Sequence, residues 1–255
     1  MTRVQNRKRV GAELYALTHR GNRGDLEFYR RTCRGARSVL ELGSGYGRVL
    51  TALASAERRV VGLERDPEFL ALARRALRQL SPERRQSVRL VHGDARDFEL
   101  AERFDRVLLP YNALYCLLSK RAALGCFRSV HRALKPGGVF AFDVWNAAAF
   151  DVATGTPPDD DEPIVSLSHD ARTWDVFERS CVRRARKRLD VTYHYVPREG
   201  GAVQRIRIPQ RYYLATEVDD LLERAGFALQ ARYGDFSGGR FTSRSAQQVV
   251  LARAL

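Results

Sequence analysis

The stretch Val39-Leu40-Glu41-Leu42-Gly43-Ser44-Gly45-Tyr46-Gly47 restricts the architecture of this chain more than any other. Its aliphatic start reads as a short buried strand. Three glycines then fall at alternate positions. Glycine is what a backbone needs to take φ > 0, or to lie against a ligand with no Cβ between. The residues that follow, Arg48 to Ala54, have helical character. A strand, a glycine turn and a helix N-terminus in succession make the edge of a nucleotide-sized pocket in an α/β fold. The spacing excludes two familiar forms of that pocket. The dinucleotide fingerprint wants G-x-G-x-x-G, and its third position here is Arg48. No Gly-Lys-Ser/Thr follows, so there is no phosphate-cradling P-loop.

The rest of the chain alternates strands and helices. Val10 to Thr18 reads as a short helix, and Asp25 as the cap of a second one carrying Leu26, Phe28 and Tyr29. Val60 to Leu63 is a strand ending in Glu64. Asp66-Pro67 then starts a helix to Leu80 with Asp66 as its cap. Glu64 ends the strand after the glycine turn, and the ends of neighbouring parallel strands flank one crevice. A carboxylate there can accept from two adjacent ribose hydroxyls. The third strand, Val88 to His92, leads to Gly93-Asp94-Ala95, where Asp94 can accept from an exocyclic amine and the Ala95 N–H can donate to a ring nitrogen. Phe104 to Leu109 and Val139 to Val144 are further strands. The helix between them, Lys120 to Leu134, stops at Lys135-Pro136-Gly137-Gly138.

Glu41-x-Gly43-x-Gly45-x-Gly47, Glu64, Gly93-Asp94-Ala95-Arg96-Asp97-Phe98, Phe104-Asp105-Arg106-Val107 and Leu134-Lys135-Pro136-Gly137-Gly138 stand in an order that resembles the class I S-adenosylmethionine (SAM)-dependent methyltransferases. The likeness is closest over residues 10–150, and greatest to the branch with amino-sugar N,N-dimethyltransferases and glycine/sarcosine-type N-methyltransferases. It implies a Rossmann-like seven-stranded sheet of order 3-2-1-4-5-7-6, with SAM as methyl donor and S-adenosylhomocysteine as product. Residues 1–150 and 211–255 would form the SAM-binding core, with cap helices in 1–30. Residues 151–210, an acidic loop from Thr154 to Pro163 and then three alternating segments (Thr173 to Arg183, Leu189 to Val196, Ala202 to Ile208), would be an inserted antiparallel lid for the substrate. Thr216 with Asp219 reads as a capping box for the last helix, which Gly226 stops. Phe227 to Tyr233 and Gln247 to Ala252 are the last two strands.

Candidate cofactor contacts are Glu41, Gly43, Ser44, Gly45, Gly47, Glu64, Arg65, Asp94, Ala95 and Pro110, with Tyr15 and Arg20 from the N-terminal segment. Candidate substrate contacts are Tyr111, Asn112, Tyr115, Trp145, Asn146, Trp174, Arg211 and Tyr213. Methyl transfer from a sulfonium needs orientation and exclusion of water more than a strong acid or base. If an amine loses a proton, Tyr15, Tyr111, His169 and His194 are candidates to take it, as is water. The five histidines are scattered, and no metal site is expected. Leu109-Pro110-Tyr111-Asn112 departs from the N/D-P-P-Y/W/F tetrad of nucleobase amino-methyltransferases, which disfavours nucleic acid.

The net charge of +14 is almost entirely arginine, densest at Arg183-Arg184-Ala185-Arg186-Lys187-Arg188. Solvated faces account for it; an RNA or protein acceptor on this surface is the alternative within the same enzyme class. A non-catalytic SAM-binding subunit is the other. The expected acceptor is a small molecule or short peptide, methylated on nitrogen or oxygen. Four cysteines without paired spacing read as structural thiols. The polar, basic N-terminus is unlike a signal peptide, and no apolar run spans a membrane. The expectation is a cytoplasmic monomer or homodimer.

Overall fold

A computed structural model describes residues 3–152 and 162–255. In chain order the elements are α1 (Arg3–Thr18), α2 (Asp25–Thr32), β1 (Ser38–Leu42), α3 (Arg48–Leu53), β2 (Arg59–Glu64), α4 (Pro67–Leu77), α5 (Pro82–Gln86), β3 (Val88–His92), β4 (Phe104–Leu109), α6 (Lys120–Ala133) and β5 (Leu134–Trp145). There follow α7 (Ala148–Val152), β6 (Val165–His169), β7 (Arg172–Arg183), β8 (Arg188–Pro197), β9 (Gln204–Arg211), α8 (Ala215–Arg224), β10 (Phe227–Tyr233) and β11 (Gln247–Ala254). Contacts divide the chain into two units, Gly21–Ala149 with Tyr213–Leu255, and Met1–Arg20 with Phe150–Tyr212.

The larger unit is built on one sheet of order β3-β2-β1-β4-β5-β11-β10. Because β10 and β11 are its sixth and seventh strands, this is the 3-2-1-4-5-7-6 order that the resemblance implies. Strands β1 to β5 pair in parallel, and β11 runs antiparallel to both β5 and β10. Central β1 is buried along its whole length, as a parallel strand covered on both faces must be. One face packs Phe28, Tyr29, Val49, Leu50 and Leu53 against Val39, Leu108, Ala141 and Val249. On α6, Leu124, Phe127 and Val130 are buried, and the Phe127 ring meets Phe140 edge-on at 5.0 Å. Pairing of Leu42 with Leu63 brings the ends of β1 and β2 level.

The smaller unit is a four-stranded antiparallel sheet, β6-β7-β8-β9. Three strands are expected from the sequence; the fourth is β6, whose Val165–His169 pairs with β7 across a turn at Asp170 and Ala171, both at positive φ. That turn carries no glycine to announce it. The acidic loop read at Thr154 to Pro163 lies mostly outside the described residues. Helix α1 starts earlier than the sequence suggests and belongs to this unit up to Arg20. It meets β9 at Gly11, where an added Cβ would stand 3.8 Å from Ile206.

Local chemistry departs from expectation at three ends. Gly24, not Asp25, precedes α2, and the Asp25 carboxylate is drawn instead to Arg48. Helix α4 stops at Leu77, and α5 follows. Helix α8 begins one residue before Thr216: Glu217 Oε2 accepts from the Leu214 N–H at 3.2 Å, so Glu217 and not Asp219 caps the first turn, while Asp219 pairs with Arg232. Asp66 caps α4 as read, accepting from the Glu68 N–H at 2.8 Å. Replacing Glu217 with Ala is expected to cost about 0.5–2 kcal/mol in urea unfolding, the range for a lost helix cap; Thr216→Ala should fall within about 0.5 kcal/mol of the parent.

Candidate functional site

The glycine turn joins β1 to α3 in the larger unit. Gly43, Gly45 and Gly47 take φ of 63°, 54° and 87°, all left-handed. An added Cβ on Gly47 would stand 3.3 Å from Ala73, so α4 packs tightly against the turn there. The Ser44 N–H donates to the Leu63 carbonyl at 3.1 Å, tying the turn to β2.

Glu64 completes the join. Its Oε2 accepts from the Gly45 N–H at 2.9 Å, and its Oε1 from the N–H groups of Arg65 and Asp66 at 2.8 and 2.7 Å. A carboxylate has about four acceptor sites. Three are met by the backbone, which leaves room for a ligand hydroxyl at the tip of β2. Arg65 is exposed and lies 3.9 Å from Asp94 Oδ2.

Beneath the turn, Glu41 is fully buried, and its Oε2 has no hydrogen-bond partner among the described residues. Burial pushes its pKa up to about 8; Glu64 adds to the rise and Arg48 opposes it. Ser44 Oγ is likewise buried without a partner among those residues. Glu41 is therefore mostly protonated at neutral pH in the ligand-free fold, and a cationic ligand group beside its unmatched oxygen would favour the ionised form.

At the tip of β3, Asp94 takes a bidentate grip from Arg96, Nε at 3.0 Å. Those hydrogen bonds hold its carboxyl below the usual range. Ala95 lies in the turn between them. Arg96 is a partner the sequence reading did not assign.

Past β4, Pro110 is buried and Tyr111 half-buried. The Arg48 guanidinium stands over the Tyr111 ring at 5.7 Å, a cation–π distance. Arg48 itself holds Asp25 with two hydrogen bonds of 2.9 and 2.7 Å. Burial, with Tyr46 adding, pushes the Tyr111 hydroxyl up to about 12, so it is protonated at neutral pH and can donate. Arg48, Asp25 and Tyr46 are further residues that the sequence does not assign to the site. Arg48 could have been found, because it opens the helix after the third glycine.

Other acceptor-side candidates of this unit are committed internally. Tyr115 Oη donates to the Trp145 carbonyl at 2.6 Å, and Tyr213 Oη to the carbonyls of Leu117 and Ser119. Asn112 Oδ1 accepts from the Trp145 N–H at 2.6 Å. Asn146 Nδ2 donates to the carbonyls of Thr242, Ser243 and Ser245, and its Oδ1 accepts from the Ala148 N–H. Tyr111 and Trp145 remain partly exposed.

In the smaller unit, Tyr15 stacks on His19 with ring centroids 3.8 Å apart. Arg20 Nε donates to the Leu17 carbonyl. His169 lies 3.2 Å from Glu13 and 3.6 Å from Asp170. Trp174 is buried, its Nε1 donating to the His169 carbonyl. His194 sits in β8 opposite Phe177 and Arg205, and Arg211 ends β9.

The order of the sheet and the glycine turn on its central strand define a Rossmann-like class I methyltransferase fold. Residues 39–138 match the family model described as a methyltransferase domain. It is similar to dTDP-3-amino-3,6-dideoxy-alpha-D-glucopyranose N,N-dimethyltransferase of Streptomyces fradiae, 30% identical over 173 residues, 63% of this chain and 65% of that protein. It is also similar to the cypemycin N-terminal methyltransferase of a Streptomyces species, 33% identical over 120 residues, 47% of this chain and 46% of the relative. The two matches thus span just under two thirds and just under half of those relatives. Among solved structures, the CcbJ methyltransferase from Streptomyces caelestis superposes with a TM-score of 0.78 at 28% identity, covering 92% of this chain and 97% of that one.

Two measurements probe the site. Glu64→Ala should weaken SAM binding more than tenfold, about 1.4 kcal/mol or more, as read by isothermal titration; unchanged affinity removes Glu64 from the site. The second concerns Glu41. Its native pKa of about 8 lies above its ordinary 4.5, so the folded state keeps a proton that the unfolded chain gives up. Stability therefore falls as pH rises from about 4.5 through 8. The Tm advantage of Glu41→Gln over the ligand-free parent should grow across that window and vanish at its acid end. A gap that is constant with pH would show that Glu41 is not buried in protonated form.

Proposed function

We propose that this protein transfers a methyl group from SAM to a nitrogen, or an oxygen, of a small-molecule or short-peptide acceptor. The observation that carries the reading is the Glu64 carboxylate bonded to the Gly45 N–H at 2.9 Å, at the level ends of two parallel strands. That arrangement gives a ribose-accepting carboxylate next to a Cβ-free turn. The residues assigned to the donor are Gly43, Ser44, Gly45 and Gly47 of the turn, with Glu64, Asp94 and the Ala95 N–H at the neighbouring strand ends. The unmatched Glu41 oxygen supports a cationic ligand there. SAM supplies an electrophilic methyl on a sulfonium whose departure needs no acid.

What the chain contributes is orientation and dryness. Tyr111, protonated and half-buried, acts as a hydrogen-bond donor toward the acceptor rather than as its base. The proton of an amine acceptor passes to water or to a histidine. Preference for nitrogen follows from the relatives in Streptomyces, whose names describe an amino-sugar N,N-dimethyltransferase and an N-terminal methyltransferase. Free thiols at Cys33, Cys116, Cys126 and Cys181 suit a reducing cytoplasm. Among the described residues no helix is long and apolar enough to cross a membrane.

Isothermal titration should show binding of SAM and S-adenosylhomocysteine and none of NAD; the reverse ends the reading. Methyl-labelled SAM, offered with a dTDP-linked amino sugar, a peptide with a free N-terminus and a short RNA, should label the sugar or the peptide. Label in the RNA alone, with binding that weakens steeply with salt, would move the acceptor to nucleic acid.

A further inference from the structure

The loop after β4 turns through two consecutive left-handed residues, Tyr111 and Asn112, each at φ 58°. Asparagine tolerates that region; a tyrosine there persists only where its surroundings hold it. Asp143 of β5 holds both. Its Oδ1 accepts from the Tyr111 N–H at 2.9 Å, and its backbone carbonyl accepts from the Asn112 N–H at 3.1 Å. The same Oδ1 accepts from the hydroxyl of Tyr29, a fully buried residue of α2. The neighbours Phe140, Ala141, Phe142 and Val144 are all apolar and buried. A carboxyl among them is costly unless hydrogen-bonded, and burial raises its pKa to about 6. A packing role alone would be met by another aliphatic side chain. The loop so held abuts the glycine turn, since a Cβ added to Gly43 would lie 3.8 Å from Ala113 Cβ. It also carries the Tyr111 ring beneath Arg48.

We propose that Asp143, braced by Tyr29, is a positioning residue for methyl transfer, fixing Tyr111 at the mouth of the glycine turn. The inference rests on the methyltransferase reading above. Asp143 acts through Tyr111 and touches neither donor nor acceptor. In-line transfer depends steeply on orientation, so a loosened loop costs rate more than affinity.

The test uses the full chain with Asp143→Ala, Asp143→Asn and Tyr29→Phe. Hydrogen exchange across residues 110–113 reads the clamp without any acceptor. Asp143→Ala should speed exchange at Tyr111 and Asn112 at least tenfold. Asp143→Asn, which keeps an accepting oxygen, should restore most of the protection. With whichever acceptor the parent methylates, Asp143→Ala should lower kcat tenfold or more, with KM and SAM affinity within threefold. Asp143→Asn should recover a large part of kcat, and Tyr29→Phe should fall between. If Asp143→Ala does not fold, Tyr29→Phe carries the same comparison. Unchanged exchange overturns the clamp; faster exchange with unchanged kcat overturns its role in transfer. A parent that binds no SAM overturns the methyltransferase reading, and the positioning role with it, even where the exchange result stands.

Discussion

One carboxylate joins the two strand ends on which the candidate site is built. Glu64 accepts three backbone N–H groups, one from the glycine turn after β1 and two from the entry to α4. The turn is also tied by the Ser44 N–H on the Leu63 carbonyl and the Gly47 N–H on the Ser44 carbonyl. Its glycines have no side chains to pack, and all three take left-handed conformations. A charge-assisted acceptor at the adjacent strand end compensates for that. Parallel pairing is what puts it there: Leu42 stands opposite Leu63, so the residues that follow each are neighbours.

A second carboxylate does comparable work in the loop after β4. Asp143 ties two strained residues of the loop after β4 to β5 and to α2. Arg48 binds Asp25 and stands over the Tyr111 ring. The charged groups of the site are thus engaged with one another or with backbone, although one oxygen of Glu41 and one of Asp143 have no partner among the described residues.

Much of this was legible before any coordinates. The alternation of strands and helices, the glycine turn, the cap at Asp66 and the sheet order follow from local pattern and from the resemblance those patterns carry. Two of the departures share a cause. Asp25 reads as a cap, yet it is taken by Arg48, distant in sequence. Thr216 and Asp219 read as a capping box, yet Asp219 is drawn to Arg232 across α8 and β10. Asn112, Tyr115, Asn146 and Tyr213 read as candidate substrate contacts, and their bonding partners were not legible. The fold spends them on its own carbonyls and amides. Strand β6 is not announced by local pattern, because its turn uses Asp170 and Ala171 in left-handed conformations, with no glycine.

The sequence by itself determined which strand carries the turn, which carboxylate ends the next strand, and the class of fold they belong to. These depend on spacing along the chain and on what glycine alone can do. Only the tertiary structure decided which polar side chains remain available to a ligand. It also placed Asp143 and Tyr29 behind Tyr111, and α1 with the antiparallel sheet. Those outcomes are set by competition among partners far apart in sequence. A hydrogen-bonding group goes to whichever partner the packed elements bring within about 3 Å, and no local pattern encodes that.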